Sequence, residues 1–384
     1  MKNTYEDTNN MDISQIREEF PVLKEWTYLD NAFVGLMPRQ VREGHLDYID
    51  SWYKFKTRGG NTILQDWLEK TSLVRRMVAE FINVKSREIA FTMNTGAGLN
   101  IIINGIDWEE GDNVVFPEWE HNPLFTYKTK EKGVEHRAVP VKDGIVDISE
   151  MEKAIDDRTK LVQVSHVSYV NGFRFDLKEI AEISHGYGAK LLVDATQAVG
   201  AIQVDYERDN VDFVSVAPYK YLMGPTGLAF LYVNERNLPE LIPDRTGWKN
   251  QAWEGDNPED EADLESAEKF EYGTLNFEGM YALERSLIFL NELGIENIEE
   301  RVLNLSNHLY DNVVAEGKDM YTADPPNSPI VSYYQKNAVT KSLQLKNQKI
   351  KVTGREAHGG HMRVSVHFYN TEDDIDRFIR EIGQ

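Results

Sequence analysis

The sequence predicts an α/β chain built on a mainly parallel sheet covered by helices. Between Ile89 and Val233 the short runs EIAFTM, NVVFP, KLVQVSHV, AKLLVDA, VDFVSV and LAFLYV have the length and β-branched content of buried strands. Longer segments of helical spacing, such as Leu177, Ile180, Ala181 and Ile183, separate them, as repeated strand–helix–strand units require. At 384 residues the chain exceeds one small core and suits a large domain with a smaller second one.

The flanking elements follow from local signals. Ile13 to Phe20 predicts a short helix stopped by Pro21, and Trp26 to Leu29 an extended piece before the turn Asp30-Asn31-Ala32. The carboxylate-rich stretch at 254–268 predicts a solvated loop near a domain boundary. Beyond it, Tyr281 to Leu293 and Ile298 to Val313 have helical spacing, and Met362 to Phe368 alternates like a strand. A final helix is expected after Asn370-Thr371, where a hydroxyl cap precedes Glu372, Asp373 and Asp374 at the positive helix end.

Composition removes whole classes of function. A net charge of -22 argues against nucleic acid, whose binding needs a basic footprint. The first dozen residues are polar, with no secretory apolar stretch, and no later run reaches membrane-spanning length, so a cytoplasmic protein without a membrane partner is expected. There is no cysteine, which removes disulfides, thiolate metal sites and cysteine nucleophiles from this chain.

Four places could carry chemistry together. Lys220 ends the run VDFVSVAPYK among apolar and aromatic neighbours; by itself it would be a lysine lying on a sheet edge with its ammonium in water. Asp194 ends the apolar strand Leu191-Leu192-Val193, where ligands of open α/β sheets collect, and its carboxylate could pair with a protonated pyridine nitrogen or simply cap a helix. Thr95-Gly96-Ala97 passes from strand to helix through small residues and offers amide N–H groups to a phosphate, although the spacing is neither a dinucleotide fingerprint nor a nucleotide P-loop. His121, after the strand Asn113 to Phe116, could stack on a planar ring or be a structural histidine.

In this company the chain resembles the class V aminotransferase family of fold-type I pyridoxal 5'-phosphate enzymes, which includes cysteine desulfurases and isopenicillin N epimerase-like proteins. The matching motifs are Phe20-Pro21, Tyr28 to Ala32, Glu120-His121, Val193 to Gln197, Tyr219 to Gly227, Phe270 to Thr274, Arg363-Val364-Ser365 and Tyr369 to Glu372. The resemblance implies a large domain with a mainly parallel seven-stranded sheet at 21–250, a smaller α+β domain at 251–384 and an N-terminal arm, 1–20, packing on the latter. It implies that Lys220 carries pyridoxal 5'-phosphate as a Schiff base and is the catalytic residue. Asp194 then pairs with the pyridine nitrogen, Gln197 bonds the ring hydroxyl, His121 stacks on the ring and Tyr219 adjoins the cofactor. Thr95, Gly96 and Ala97 hold the phosphate, while Thr274, beside Gly273, reaches the phosphate of a neighbouring subunit in a homodimer. Asn31 and Arg363 are implied at an amino-acid substrate, with the Arg363 fork suited to its α-carboxylate.

Departures from the family pattern matter as well. Ala217 and Tyr219 replace a frequent serine and histidine, and Tyr169 replaces an asparagine. Desulfurases place a cysteine before the final strand, where this chain reads Gly354 to Met362 with His358 and His361; those two histidines lack an evident third ligand for a metal site. The reaction favoured on these grounds is transamination, since it needs only the lysine and a carboxylate clamp, with epimerisation, aided by Tyr169 or His45, and β-elimination beside it. Desulfuration through a protein persulfide is disfavoured. A cofactor-binding regulatory protein and a nucleotide-binding protein are the alternatives of other kinds. Arg58, Trp248, Lys249 and Arg355 are candidates for the side-chain pocket that no spacing rule ranks.

Overall fold

The structure, a computed structural model, describes residues 11–121, 127–252, 262–263 and 265–383. Its main sheet has seven strands: β1 Ile89–Thr92, β2 Asn113–Pro117, β3 Glu135–Val139, β4 Thr159–Ser165, β5 Lys190–Asp194, β6 Phe213–Val216 and β7 Ala229–Val233. Their order is β1-β7-β6-β5-β4-β2-β3. From β6 to β3 every pair is parallel, and β7 alone runs antiparallel to both its neighbours. The central strands β5, β6 and β7 are buried almost throughout, which is why they are continuous apolar runs in the sequence.

Helices cover the sheet with the stripes their spacing predicts. Leu177–Gly186 buries Leu177, Ile180, Ala181 and Ser184 on one face, and Asp176 caps it by accepting from the Lys178 and Glu179 amides. Thr95–Gly105 follows β1 directly and is capped by Asn94, whose side chain accepts from the Ala97 amide. Gly98 lets this helix lie against Ser215 of β6, where a Cβ would collide with the serine side chain.

The C-terminal part begins with helices Phe277–Leu293 and Ile295–Ala315, the first packing on Arg39–Tyr53 and Ile63–Phe81. A three-stranded antiparallel sheet follows: β8 Ile330–Tyr334, β9 Thr353–Arg355 and β10 His361–Ser365, in the order β8-β10-β9. The last helix, Glu372–Ile382, starts with a capping box made by Thr371 and Asp374. The N-terminal segment lies against this region, with Arg17 2.8 Å from both the Tyr369 carbonyl oxygen and Asp374, and the Phe20 ring 4.5 Å from that of Tyr369.

Some local expectations shift. The strand expected at Met362 to Phe368 begins at His361 and ends at Ser365, because Asn370 folds back to bond both main-chain groups of His367. The acidic stretch 254–268 lies largely outside the described residues. Among the described residues no helix is long and apolar enough to cross a membrane.

Candidate active site

The carboxyl ends of β4, β5 and β6 meet the amino end of the Thr95–Gly105 helix around a cavity of about 240 Å³. Thr95, Gly96, His121, Asp194, Gln197, Tyr219 and Lys220 all line it. Residues spread over 125 positions of sequence thus face one space, because parallel strands deliver their carboxyl ends to the same edge of the sheet.

Lys220 sits in a tight turn after β6. The Met223 amide donates to its carbonyl oxygen at 2.9 Å, the Gly224 amide donates to Pro218 at 2.8 Å, and Gly35 donates to the Tyr219 carbonyl oxygen at 2.9 Å. Gly35 must be glycine here, since a methyl group would overlap the Lys220 carbonyl oxygen. The side chain is 8% exposed. Burial lowers the lysine's pKa to about 8; Asp194 opposes that shift, while Arg363 and Arg355 add to it. The surface-lysine alternative is thereby set aside.

Asp194 closes β5, with one carboxylate oxygen accepting from the Thr196 amide at 3.0 Å. Turns rather than a helix follow it, so it is no helix cap. Gln197 donates from Nε2 to the Ala32 carbonyl oxygen at 3.0 Å, leaving a buried Oε1 without a hydrogen-bond partner among the described residues. His121 meets the Tyr169 ring edge-on at 5.0 Å. Burial, followed by the Asp194 charge, raises the Tyr219 pKa.

Side chains that sequence patterns did not single out complete the wall. Thr196 Oγ1 lies 2.8 Å from Thr95 Oγ1 and accepts from the Ala217 amide at 3.2 Å. Ser165 donates from its amide and hydroxyl to Glu120, each at 2.8 Å, and burial raises that carboxyl to about 7. Ser165 ends β4 directly beside Asp194 in register, so the strand-end rule that selects Asp194 selects it too.

Other sequence candidates fall elsewhere. The Ala97 amide is taken by the Asn94 cap, and Ala97 lines a different cavity, shared with Gly273 and Thr274. Asn31 is fully buried and committed at both ends: its Nδ2 donates to the Ser365 carbonyl oxygen at 2.8 Å, and its Oδ1 accepts from the Tyr369 hydroxyl. It therefore ties β10 to the N-terminal segment and does not line the cavity. Arg363 adjoins the cavity without lining it: it donates at 2.8 Å to the carbonyl oxygen of Tyr169, which does line it, and its charge acts on Lys220. Of the unranked pocket candidates, Arg355 lies over the Tyr169 ring, Lys249 is paired with Glu271, and Arg58 and Trp248 are exposed.

The donor set fits pyridoxal 5'-phosphate. It offers a buried lysine of lowered pKa, a carboxylate across the same cavity, a helix amino end for an anion and the unpartnered Gln197 oxygen.

Comparison with known proteins agrees. A probable cysteine desulfurase of Methanothermobacter thermautotrophicus is 32% identical, with 95% of this chain and 96% of that protein covered. The apo structure of a cysteine desulfurase from Thermococcus onnurineus NA1 superimposes with a TM-score of 0.89 at 26% identity, covering 98% of each chain. A lysine-to-alanine mutant of C-DES, with glycine covalently linked to its PLP cofactor, shares the fold, with a TM-score of 0.89 at 22% identity over 96% of this chain and 99% of the other.

These likenesses correct the expected reaction. The relative at 32% identity is named for desulfuration, not for transamination or epimerisation, and so is the structural neighbour at 26%. Transamination needs only Lys220 and a carboxylate clamp, which do not separate these reactions, and the absence of cysteine rules out only a persulfide held on this chain. The model of the family described as aminotransferase class-V matches residues 27–378, so the chain belongs to that family and its cofactor is pyridoxal 5'-phosphate.

Proposed function

We propose that this enzyme removes the sulfur of a cysteine-type L-amino acid and leaves alanine, the sulfur passing to an acceptor outside the chain. The observation that carries this reading is the likeness, over nearly the full length of both chains, to a probable cysteine desulfurase. The external acceptor follows from composition, because a chain without cysteine has no thiol on which to hold the sulfur.

Pyridoxal 5'-phosphate, when bound, supplies a sink for the electrons released at the substrate's α-carbon. The chain's own groups do the rest. Thr95 and Gly96 would hold the phosphate at the helix amino end, Asp194 would accept from the ring nitrogen, Gln197 Oε1 would accept from the ring hydroxyl and His121 would cover the ring face. With its pKa near 8, Lys220 is partly neutral close to physiological pH, so its Nζ can take the α-proton and return it. Arg363 would hold the α-carboxylate. The separate location of Gly273 and Thr274, in a cavity not lined by Lys220, supports a homodimer in which this pair serves the neighbouring site.

The test is to supply cofactor-loaded protein with L-cysteine and dithiothreitol and to assay the products. Alanine and sulfide in equal amounts are expected, lost in Lys220→Ala. Pyruvate with ammonia, or an oxo acid retaining the sulfur, would overturn the reading.

A further inference from the structure

Both carboxylate oxygens of Glu120 are engaged by one residue of the cavity wall: one accepts from the Ser165 amide and the other from the Ser165 hydroxyl, each at 2.8 Å. Gln163 Nε2 adds a longer contact at 3.5 Å. The chain around Glu120 is held by other means, since the Glu118 amide donates to the Val139 carbonyl oxygen at 2.9 Å, the Glu118 carboxylate accepts from the Val141 amide at 2.8 Å, and the Trp119 ring stacks on Tyr321 at 5.1 Å. A carboxylate taken out of water is costly, and those contacts do not require one. Its effect falls on Ser165.

Ser165 ends β4 in register with Asp194 at the end of β5, and both line the cavity that Lys220 lines. Residues paired in register on neighbouring strands project to the same side of the sheet, so the serine oxygen and the aspartate share one edge of the cavity. A serine hydroxyl has one proton and two lone pairs. Glu120 takes the proton, and the serine is only 4% exposed, so what remains for the cavity is a lone pair beside a carboxylate. An edge that only accepts favours a group that carries a proton there over one that does not.

We propose that Glu120 is a positioning residue acting through Ser165: it turns the serine hydroxyl away from the cavity, keeps the edge beside Asp194 free of donors and so holds the proton on the cofactor's ring nitrogen. This rests on the reading in which Asp194 accepts from that nitrogen, and adds what sets the strength of the pairing. In Glu120→Gln the amide oxygen stays against the Ser165 amide, which cannot turn, and the new NH₂ group faces the hydroxyl, which can. The serine then rotates, donates into the cavity toward Asp194 and weakens the hold of that carboxylate on the ring proton.

The test is nuclear magnetic resonance of protein loaded with pyridoxal 5'-phosphate that carries the heavy nitrogen isotope in its ring. It is run at about pH 8.5, where Glu120, raised to about 7, is ionised. The ring-nitrogen shift follows the position of the proton continuously. Glu120→Gln should move it toward the value of an unprotonated pyridine. Ser165→Ala, which removes the acceptor without creating a donor, should move it the same way by less, and adding Glu120→Gln to Ser165→Ala should change nothing further. An unchanged shift in either single variant overturns the proposal, and a lowered melting temperature beside it would mark a purely structural clamp. An equal effect of Glu120→Gln with and without the serine hydroxyl overturns it too, because the charge would then act directly. Asp194→Asn separates the two readings, since it should move the shift furthest. No movement there would sink the Asp194 reading and this proposal with it; movement there but none in Glu120→Gln would sink this proposal alone.

Discussion

Thr95 Oγ1 and Thr196 Oγ1 lie 2.8 Å apart, tying the helix that follows β1 to the turn that follows β5. The second threonine also accepts from the Ala217 amide, three residues before the lysine, so one hydroxyl joins the anion-binding end of the site to the lysine turn.

Thr196→Val should therefore cost more than its size suggests. It leaves the Ala217 amide and the Thr95 hydroxyl without this partner in a buried setting, a loss of about 1–3 kcal/mol. Urea unfolding should report that loss, and cofactor affinity should fall with it. Unchanged stability would show that the pair does not hold the turn.

Gly35→Ala should be among the most damaging small substitutions in the chain. The new methyl group would overlap the Lys220 carbonyl oxygen, forcing either the segment before Arg39 or the lysine turn to move. A loss of roughly 3 kcal/mol or more is expected from such overpacking, read as a lowered melting temperature and a weakened cofactor band.

The lowered lysine pKa has a pH signature. The rate at which cofactor-free protein captures pyridoxal 5'-phosphate should rise through about pH 8, not near the ordinary lysine value of 10.5, since only the neutral amine attacks an aldehyde. The unfolded chain holds the lysine proton across that interval and the folded one does not, so this lysine's contribution makes cofactor-free protein gain stability as pH rises from about 8 to 10.5. Lys220→Met should remove that rise.

Acid should destabilise the fold early. Burial lowers His166 and His367 to about 3 and His361 to about 4, against an ordinary 6.5, so unfolding takes up their protons as pH falls below 6.5. Glu120 acts oppositely: raised to about 7 from 4.5, it is protonated in the folded state first. Three protons against one leave a net uptake of about two on unfolding between pH 4.5 and 6.5, a slope of about 3 kcal/mol per pH unit. Urea midpoints across that range check it; a flat profile would contradict the buried, neutral histidines.

Legibility in the sequence followed burial. The inner strands could be read as apolar runs because both their faces are covered, whereas edge strand β3, Glu135–Val139, has only Val139 fully buried and carries no such signal. The antiparallel direction of β7 left no trace either, since Ala229–Val233 is as apolar as its parallel neighbours. Asp194 was readable as a charge at the end of a buried strand. Asn31 misled because a polar residue in a turn resembles a ligand contact until both its amide groups are found in use. Ala97 misled because a cap consumes an amide that looks free in the sequence.

The segment from Thr27 to Gly35 has two attachments. Its first residues pair with Ile350–Lys351 beside the small sheet, and its last donates to the carbonyl oxygen of Tyr219. It works as a tether of fixed length between the part of the chain that carries Arg355 and Arg363 and the backbone that carries Lys220. The placement of the lysine turn therefore depends on a strand pairing made far away in the sequence, at the margin of the small sheet, and loss of the Thr27–Tyr28 pairing with Ile350–Lys351 would free the backbone that Gly35 holds.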